Sequence, residues 1–376
     1  MKIKYYIIGV LAAWAFIGSP GCKQSYNPPV VSSPITHLVV EGFINSGPDS
    51  TYYTLSHTFP LGDTATTTPE LHALVTVEGN DNSSYPLAEI GNGVYGAPLT
   101  GLNPAVQYRL DIHTAAGKEY ASAYVPMKVS PPIDSISWTR SNQGVQIYAN
   151  THDPQGNSRY YRWDYQETWE FTAAYFAYLQ YLNGAIVPLD PNNMYYCWAS
   201  DVSTSILLNS SVKLAQDQIQ MDPLVMIPVG DERISYLYSI LVKQYVLTPD
   251  AYAWWQLLQK NTEQIGSIFG VEPSTTGGNI HNLADSTELV IGYVSAGSIV
   301  KQRIYISNSQ VQPWVYRNGC TEFATTPDSA LYYAQQGYAP VYNFIGNSGP
   351  MVEMTISRFC VDCTETGTNH KPSFWP

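Results

Sequence analysis

A β-hairpin is written into residues 107–125. Gln107-Tyr108-Arg109-Leu110-Asp111-Ile112 runs to a tight turn at Ala116-Gly117-Lys118, and Tyr120-Ala121-Ser122-Ala123-Tyr124-Val125 runs back. Outward from it the same signature repeats. Upstream stand Leu38-Val39-Val40-Glu41-Gly42-Phe43-Ile44, Thr51-Tyr52-Tyr53-Thr54-Leu55-Ser56, and the alternating Ala73-Leu74-Val75-Thr76-Val77-Glu78 with its turn at Gly79-Asn80-Asp81-Asn82. Tyr85 to Leu87 and Gly93-Val94-Tyr95 complete the series. Short strands separated by turns every 8–12 residues or so predict a β-sandwich of immunoglobulin-like or transthyretin-like kind over 37–128, closed by the proline-bearing stretch 126–132.

A second, larger β-rich domain is expected over 133–376. Ile133-Asp134-Ser135-Ile136-Ser137-Trp138 and Val145-Gln146-Ile147-Tyr148-Ala149 open it, and Asp153-Pro154-Gln155-Gly156 is a turn in which Pro presets one dihedral and Gly permits the next. Aromatic residues crowd 160–181 up to Asn183-Gly184; a stacking platform for sugars or peptides is one reading, aromatic-laced strands filling a core the simpler one. Strands are also expected at 195–198, 234–247 (a central one), 288–294, 301–306 and 352–359, with a loop or short helix over 325–340. Thr248-Pro249-Asp250 is a helix start, with a cap, Pro in the first turn and an acid at the positive end. Tyr252, Trp255 and Leu258 follow at helical spacing to a stop at Gly266, predicting a helix over 249–265 whose Trp254-Trp255 pair packs on a sheet. The glycine-rich segment 266–282 is a long loop, and loops of that length are often functional.

The N-terminus carries an address. Lys2 and Lys4 precede an apolar run of about 14 residues from Tyr5 to Gly18, then Ser19-Pro20-Gly21 and Cys22. That run is short of the roughly 20 residues a membrane-spanning helix needs. A cleaved signal over 1–22 ending in a lipidated Cys22 is the preferred reading over plain secretion. Gly21 stands directly before the cysteine and a polar, proline-bearing tether over 23–36 follows it, although Ser19 occupies the place where such signals usually carry leucine. Acyl chains contribute about 0.8 kcal/mol per buried methylene, so several on one cysteine anchor durably.

Composition narrows the rest. The chain of 376 residues is 44% hydrophobic and 13% charged, enough to bury a core, and holds 30 Tyr, 9 Trp and 10 Phe. A formal charge of −12, with no basic stripe, disfavours nucleic acid as a partner. Beyond Cys22 four cysteines remain, Cys197, Cys320, Cys360 and Cys363. An even number in an exported chain predicts two disulfides with three possible pairings. Cys360 and Cys363 on an extended strand would lie roughly 10 Å apart, too far to bridge, so each is expected to bond one of Cys197 and Cys320. The sharper readings of Cys360-Val361-Asp362-Cys363 fare worse: a redox motif wants a βαβ setting, and a zinc site wants more ligands than the lone His370 nearby.

No nucleophile elbow, His-Glu-x-x-His, phosphate-cradling glycine loop or calcium loop is present, so neither catalytic residues nor a cofactor are expected. Gly277-Gly278-Asn279 lacks the Lys-Ser/Thr of a phosphate loop. His281, Asp285 and Ser286 hold the letters of a triad without its geometry, and Asp153, Asp164 and Glu167 are more simply turn and strand-surface residues than paired acids.

An ordered set of short motifs carries a family resemblance. It comprises Asp153-Pro154, Tyr161-Arg162-Trp163, Thr248-Pro249-Asp250-Ala251-Tyr252 through Trp255, Gly266-Ser267-Ile268-Phe269, Pro273-Ser274, Gly278-Asn279-Ile280, Glu288, Gly292-Tyr293 and Arg303-Ile304. Cys360-x-Asp362-Cys363-Thr364, Lys371-Pro372 and Phe374-Trp375 complete it. Over nearly all of the chain beyond Cys22 it resembles the outer-membrane lipoprotein family of unknown function numbered 4249, typical of Bacteroidota; Thr366-Gly367-Thr368 stands where that family often has two glycines. The resemblance implies an outer-membrane lipoprotein encoded beside a TonB-dependent receptor, an accessory of nutrient uptake that binds a ligand or that receptor. It implies no catalytic residue. Lys23-Gln24-Ser25-Tyr26 lacks the acidic stretch that favours export to the cell surface, leaving surface and periplasmic face both open. An envelope hydrolase acting on a sugar or peptide polymer, and a structural or adhesion module, are the alternatives.

Overall fold

The computed structural model describes residues 36–58, 68–190, 194–263 and 277–376; the expected signal with Cys22 and nearly all of the expected tether lie outside them, as do Gly266 and most of the loop expected after the helix. The protein is mainly β, as its aromatic, alternating sequence predicts. No described helix is long and apolar enough to cross a membrane.

The first third supplies β1 (Leu38–Asn45), β2 (Thr51–His57), β3 (Thr68–Pro69), β4 (Leu74–Gly79), β5 (Ser84–Gly91), β6 (Val94–Ala97), β7 (Gln107–His113), β8 (Glu119–Ser122) and β9 (Val125–Lys128). The hairpin read at 107–125 is there, with Gly117 at φ 80° in its turn. Alternation sets the inward face: Val75 and Val77 on β4, with Tyr108, Leu110 and Ile112 on β7, are buried in one core.

The middle of the chain forms two sheets that share a second core. β10 (Ile133–Arg140), β11 (Gly144–His152) and β17 (Gln218–Pro228) make one. The other is a five-stranded sheet of β12 (Tyr160–Thr172), β15 (Tyr196–Val202), β16 (Leu207–Ser210), β18 (Leu237–Val246) and β21 (Val300–Ser307), while β13 (Leu179–Leu182) and β14 (Ala185–Pro188) form a separate hairpin. β18 is central, paired with β12 and β21. Tyr161 and Trp163 stack at 5.7 Å in the core between the sheets. Trp163 donates to the Gln244 side chain at 3.1 Å, and Gln244 donates to the Pro131 carbonyl at 2.9 Å, tying this core to the connection from β9.

α1 (Pro249–Glu263) follows β18. The chain then returns to the first sheet through β19 (Ile280–Asn282) and β20 (Ala296–Gly297). β20 pairs in parallel with β1 on one side and β9 on the other, and β9 pairs with β7. The order β7-β4-β5-β6-β2-β1-β20-β9 therefore closes on itself as an eight-stranded, barrel-like ring. Where the sequence suggests a two-sheet sandwich of immunoglobulin-like or transthyretin-like kind, the strands form this ring instead. The cause is a two-residue strand supplied from almost 170 residues downstream of β9, a pairing that no local pattern announces.

Residues 288–294 correct a second expectation. They run as irregular chain, held to β1 only by a parallel bridge between Val39 and Ile291, with Val40 donating to the Ile291 carbonyl at 2.8 Å. Glycine makes this close seating possible. A Cβ on Gly292 (φ 144°) would collide with the Val40 carbonyl oxygen, and one on Gly297 with that of Lys128. Val290, Val294 and Ala296 then fill the barrel core. Glu288 pins the segment: it accepts from Lys118 (2.9 Å), Tyr120 (2.8 Å) and Asn282 (2.6 Å). Burial pushes its carboxyl up, but these donors outweigh burial and hold it below the usual range.

The C-terminal part builds a three-stranded sheet of β22 (Glu322–Thr325), β23 (Ala339–Gly346) and β24 (Gly349–Thr355) with α2 (Pro327–Gln335), capped by Thr326. Disulfides join Cys197 to Cys363 and Cys320 to Cys360, so each member of the close pair bonds one of the distant two. The tail folds back over the five-stranded sheet: Trp375 donates to Glu170 at 3.0 Å, and Arg303 lies 3.7 Å from the Phe374 ring centroid.

Two buried acids yield stability predictions. Glu167 is 4% exposed and accepts from Tyr238 (2.6 Å) and Arg233 (3.0 Å), while Asp231 holds the other edge of that guanidinium at 2.9 Å. Removing one partner strands a buried charge. Arg233→Met is expected to cost about 3–5 kcal/mol in urea unfolding, and Glu167→Gln with Arg233→Met less than the two singles together. A strictly additive double variant would show the pair to be uncoupled.

Burial pushes Asp222 up to about 6 from its usual 3.8, with only an Asn209 amide at 2.6 Å to offset it. The native state thus binds this proton more tightly than the unfolded chain. Stability falls as pH rises between 3.8 and about 6, and the deficit is fully present at neutral pH. Asp222→Asn is expected to stabilise by about 1–3 kcal/mol at pH 7.5 and to converge on the native protein near pH 4. A stability difference independent of pH would refute this assignment.

Candidate functional site

The helix start at 248–250 positions the site. The Thr248 hydroxyl accepts from the Ala251 amide at 3.2 Å, Pro249 is the first helical residue, and Asp250 sits in the first turn. The helix lays Tyr252 and Trp255 on the five-stranded sheet. Its far end is tied to the residue before β16, where Gln259 donates to the Ile206 carbonyl (2.6 Å) and Glu263 accepts from the Ile206 amide (2.7 Å).

Strand alternation decides what the helix meets. On β12, Tyr161 and Trp163 point into the core, so Tyr160, Arg162 and Asp164 point out. On β18, Lys243 and Tyr245 share that outer face, and on β21 Lys301 does. The Arg162 guanidinium lies between two rings, 4.1 Å from the Tyr245 centroid and 4.4 Å from that of Trp255. From the barrel, Phe43 meets Tyr245 edge-on at 5.2 Å, and from the returning segment Tyr293 lies 5.8 Å from Trp254. Burial, then the Asp164 carboxylate, push the Tyr245 hydroxyl up, keeping it protonated at neutral pH.

These elements enclose a cleft of about 930 Å³ where barrel, sheet, α1 and returning segment meet. A recess of about 320 Å³ continues from it past Ser203, Thr204 and Ser205, sharing Arg162, Lys243, Ile206 and Trp255. The Trp254 Nε1 is buried without a hydrogen-bond partner. The arrangement offers aromatic faces, cationic donors and hydroxyls in one concave space, which suits binding.

The residues singled out from sequence fall elsewhere or take other roles. Trp254 and Trp255, read as sheet packing, also line the cleft. The 160–181 stretch divides, Tyr161 and Trp163 in the core and Arg162 at the site. Asp164 and Glu167 occupy opposite faces of β12, and Asp153 accepts turn amides from Gln155 and Asn157, both at 2.9 Å. Asp285 accepts from Thr287 (2.6 Å) while His281 lies exposed on β19. Asn279 bonds the Val294 backbone on both sides, donating at 3.0 Å and accepting at 2.8 Å. Cys197, Cys320, Cys360 and Cys363 are in disulfides, and no cluster of metal ligands occurs among the described residues. Sequence reasoning missed Phe43, Lys243, Tyr245 and Lys301 as site residues. The available signal was polar residues interrupting apolar strands, which says that they face outward but not what they face.

A family model described as a domain of unknown function, DUF4249, matches residues 23–303. The chain belongs to this family. The match takes in every residue lining the cleft and the segment that closes the barrel. The motifs at 360–364 and 371–375 lie beyond it. No curated protein matches the chain.

Proposed function

We propose that the protein is a non-catalytic binding protein of the cell envelope, held to the outer membrane through lipidated Cys22, which takes a ligand into the cleft and serves a TonB-dependent receptor in nutrient uptake. The observation carrying this reading is the cleft itself, an aromatic-lined space of about 930 Å³ built jointly by the barrel, the five-stranded sheet and α1. Three further features support it: the apolar run ending at Cys22, the polar stretch after it, and the family resemblance, which implies a gene beside that of a TonB-dependent receptor. An envelope hydrolase would need convergent acids or a nucleophile beside a base, and the acids considered for that role sit apart.

Purification of the native protein from outer membranes in mild detergent tests the whole reading. Mass spectrometry is expected to find Cys22 acylated, an outer-membrane receptor in the complex, and a bound small molecule. A solitary protein with an unmodified Cys22 thiol would overturn the assignment. For the cleft, Trp255→Ala is expected to weaken ligand binding at least tenfold, since an aromatic stack contributes about 0.5–1.5 kcal/mol beyond its buried area. Unchanged affinity would place the ligand elsewhere.

A further inference from the structure

We infer that the cleft selects a ligand bearing a carboxylate on a ring, an inference that rests on the cleft being the binding site. The argument starts from strand register. Lys243 on β18 stands directly opposite Lys301 on β21, and Asp164 on β12 stands directly opposite Lys243. Side chains directly opposed on antiparallel strands are about 4.5–5.5 Å apart at Cβ, where like charges repel. Two lysines in that relation lower stability unless acids screen them.

The counter-charge reaches them unevenly. Lys301 has a close partner in Asp49 at 2.7 Å. Arg162 and Lys243, however, share one carboxylate, Asp164, and both contacts are long, 3.5 Å and 3.6 Å. Arg162 and Lys243 thus have one close acid between them, although Glu41 also lines the cleft from β1. Arg162 is also the better-held of the two, its guanidinium carbon 4.1 Å from the Tyr245 ring centroid and 4.4 Å from that of Trp255, with a long contact of 3.5 Å to Asp164. A planar guanidinium pre-set in this way matches a carboxylate with two parallel hydrogen bonds. The rings of Trp254 and Trp255 offer flat apolar faces beside it, so the acid group belongs on a ring that can stack.

Two sources supply that chemistry, an acidic oligosaccharide and an aryl carboxylate. The binding assay is run at low ionic strength with tetragalacturonate against its methyl ester, and with benzoate against benzamide. One acid is expected to bind at least tenfold tighter than its neutral counterpart, and which one does so identifies the source. Lys243→Gln is expected to reduce that preference severalfold while leaving thermal stability unchanged or raised, because it removes the opposed lysine pair. Arg162→Gln should abolish the preference, with its circular dichroism checked for folding. A Lys243→Gln protein that loses stability and keeps its preference would make the lysine structural and overturn the inference. Equal affinity for acid and neutral ligand, lost in Trp255→Ala, would overturn the charge assignment alone and keep the cleft as the site. Binding of neither acid would also overturn it. In that case, protection of Trp254 and Trp255 from N-bromosuccinimide by the small molecule co-purified from the envelope would spare the cleft, and lack of protection would sink both.

Discussion

Gly292→Ala is expected to cost about 3–5 kcal/mol or to prevent folding altogether. Two effects add. The residue sits at φ 144°, a conformation L side chains rarely adopt, and a Cβ there would strike the Val40 carbonyl oxygen. That collision is with backbone, so no rotamer change relieves it. Relief requires the returning segment to move off β1, which would draw Val290, Val294 and Ala296 from the barrel core and break the ring at β20. Gly117→Ala is the control. It has φ 80° in an exposed turn with nothing near its would-be Cβ, so only the conformational cost of about 1 kcal/mol applies. Urea unfolding of the two variants separates the cases. Equal destabilisation would mean that the segment is a passive covering and not part of the barrel wall.

The second large effect concerns the disulfides. Paired serine replacements at Cys197 and Cys363 open a loop of sequence separation 166, and those at Cys320 and Cys360 one of 40. Chain entropy alone assigns roughly 5 kcal/mol to the first and roughly 4 kcal/mol to the second. Packing widens the gap. Cys197 and Cys363 are both buried and share a small core with Phe171 and Ala173. Beside them Trp198 and Thr368 exchange backbone hydrogen bonds, at 2.8 and 2.9 Å. Without that link the tail carrying Phe374 and Trp375 is expected to leave the five-stranded sheet, so limited proteolysis should clip it first. A chain lacking the Cys320–Cys360 bond should keep that tail protected. If both pairs cost the same and expose the same sites, the entropic and packing arguments fail together.

Much of this architecture was legible because strands announce themselves locally. The alternation at 74–79, the turn at 153–156 and the capped start of α1 each depend on residues within one turn of each other. The pairing class of the four cysteines came out as expected, although Cys360 and Cys363 sit in two short 3-10 turns and not on the extended strand from which that expectation was argued. The cleft was not legible. Arg162 was visible only as a polar residue between two aromatics, and its contact with Trp255 joins residues 93 positions apart in the chain. Segment 288–294 misled because its apolar letters do fill a core, but as irregular chain seated on glycines and not as a strand.

By itself the sequence determined that this is a β-rich chain with two cystines and a capped helix after residue 248, since those properties follow from local periodicity, capping and residue type. Tertiary structure alone decided that the first sheet closes into a ring, that two lysines stand opposed across β18 and β21, and that aromatic and cationic side chains from four separate segments face one cleft. The reason is physical. Side-chain direction is set by neighbours along the chain, whereas register and closure are set by which distant backbones hydrogen-bond, and a two-residue strand such as β20 is too short to leave a pattern of its own.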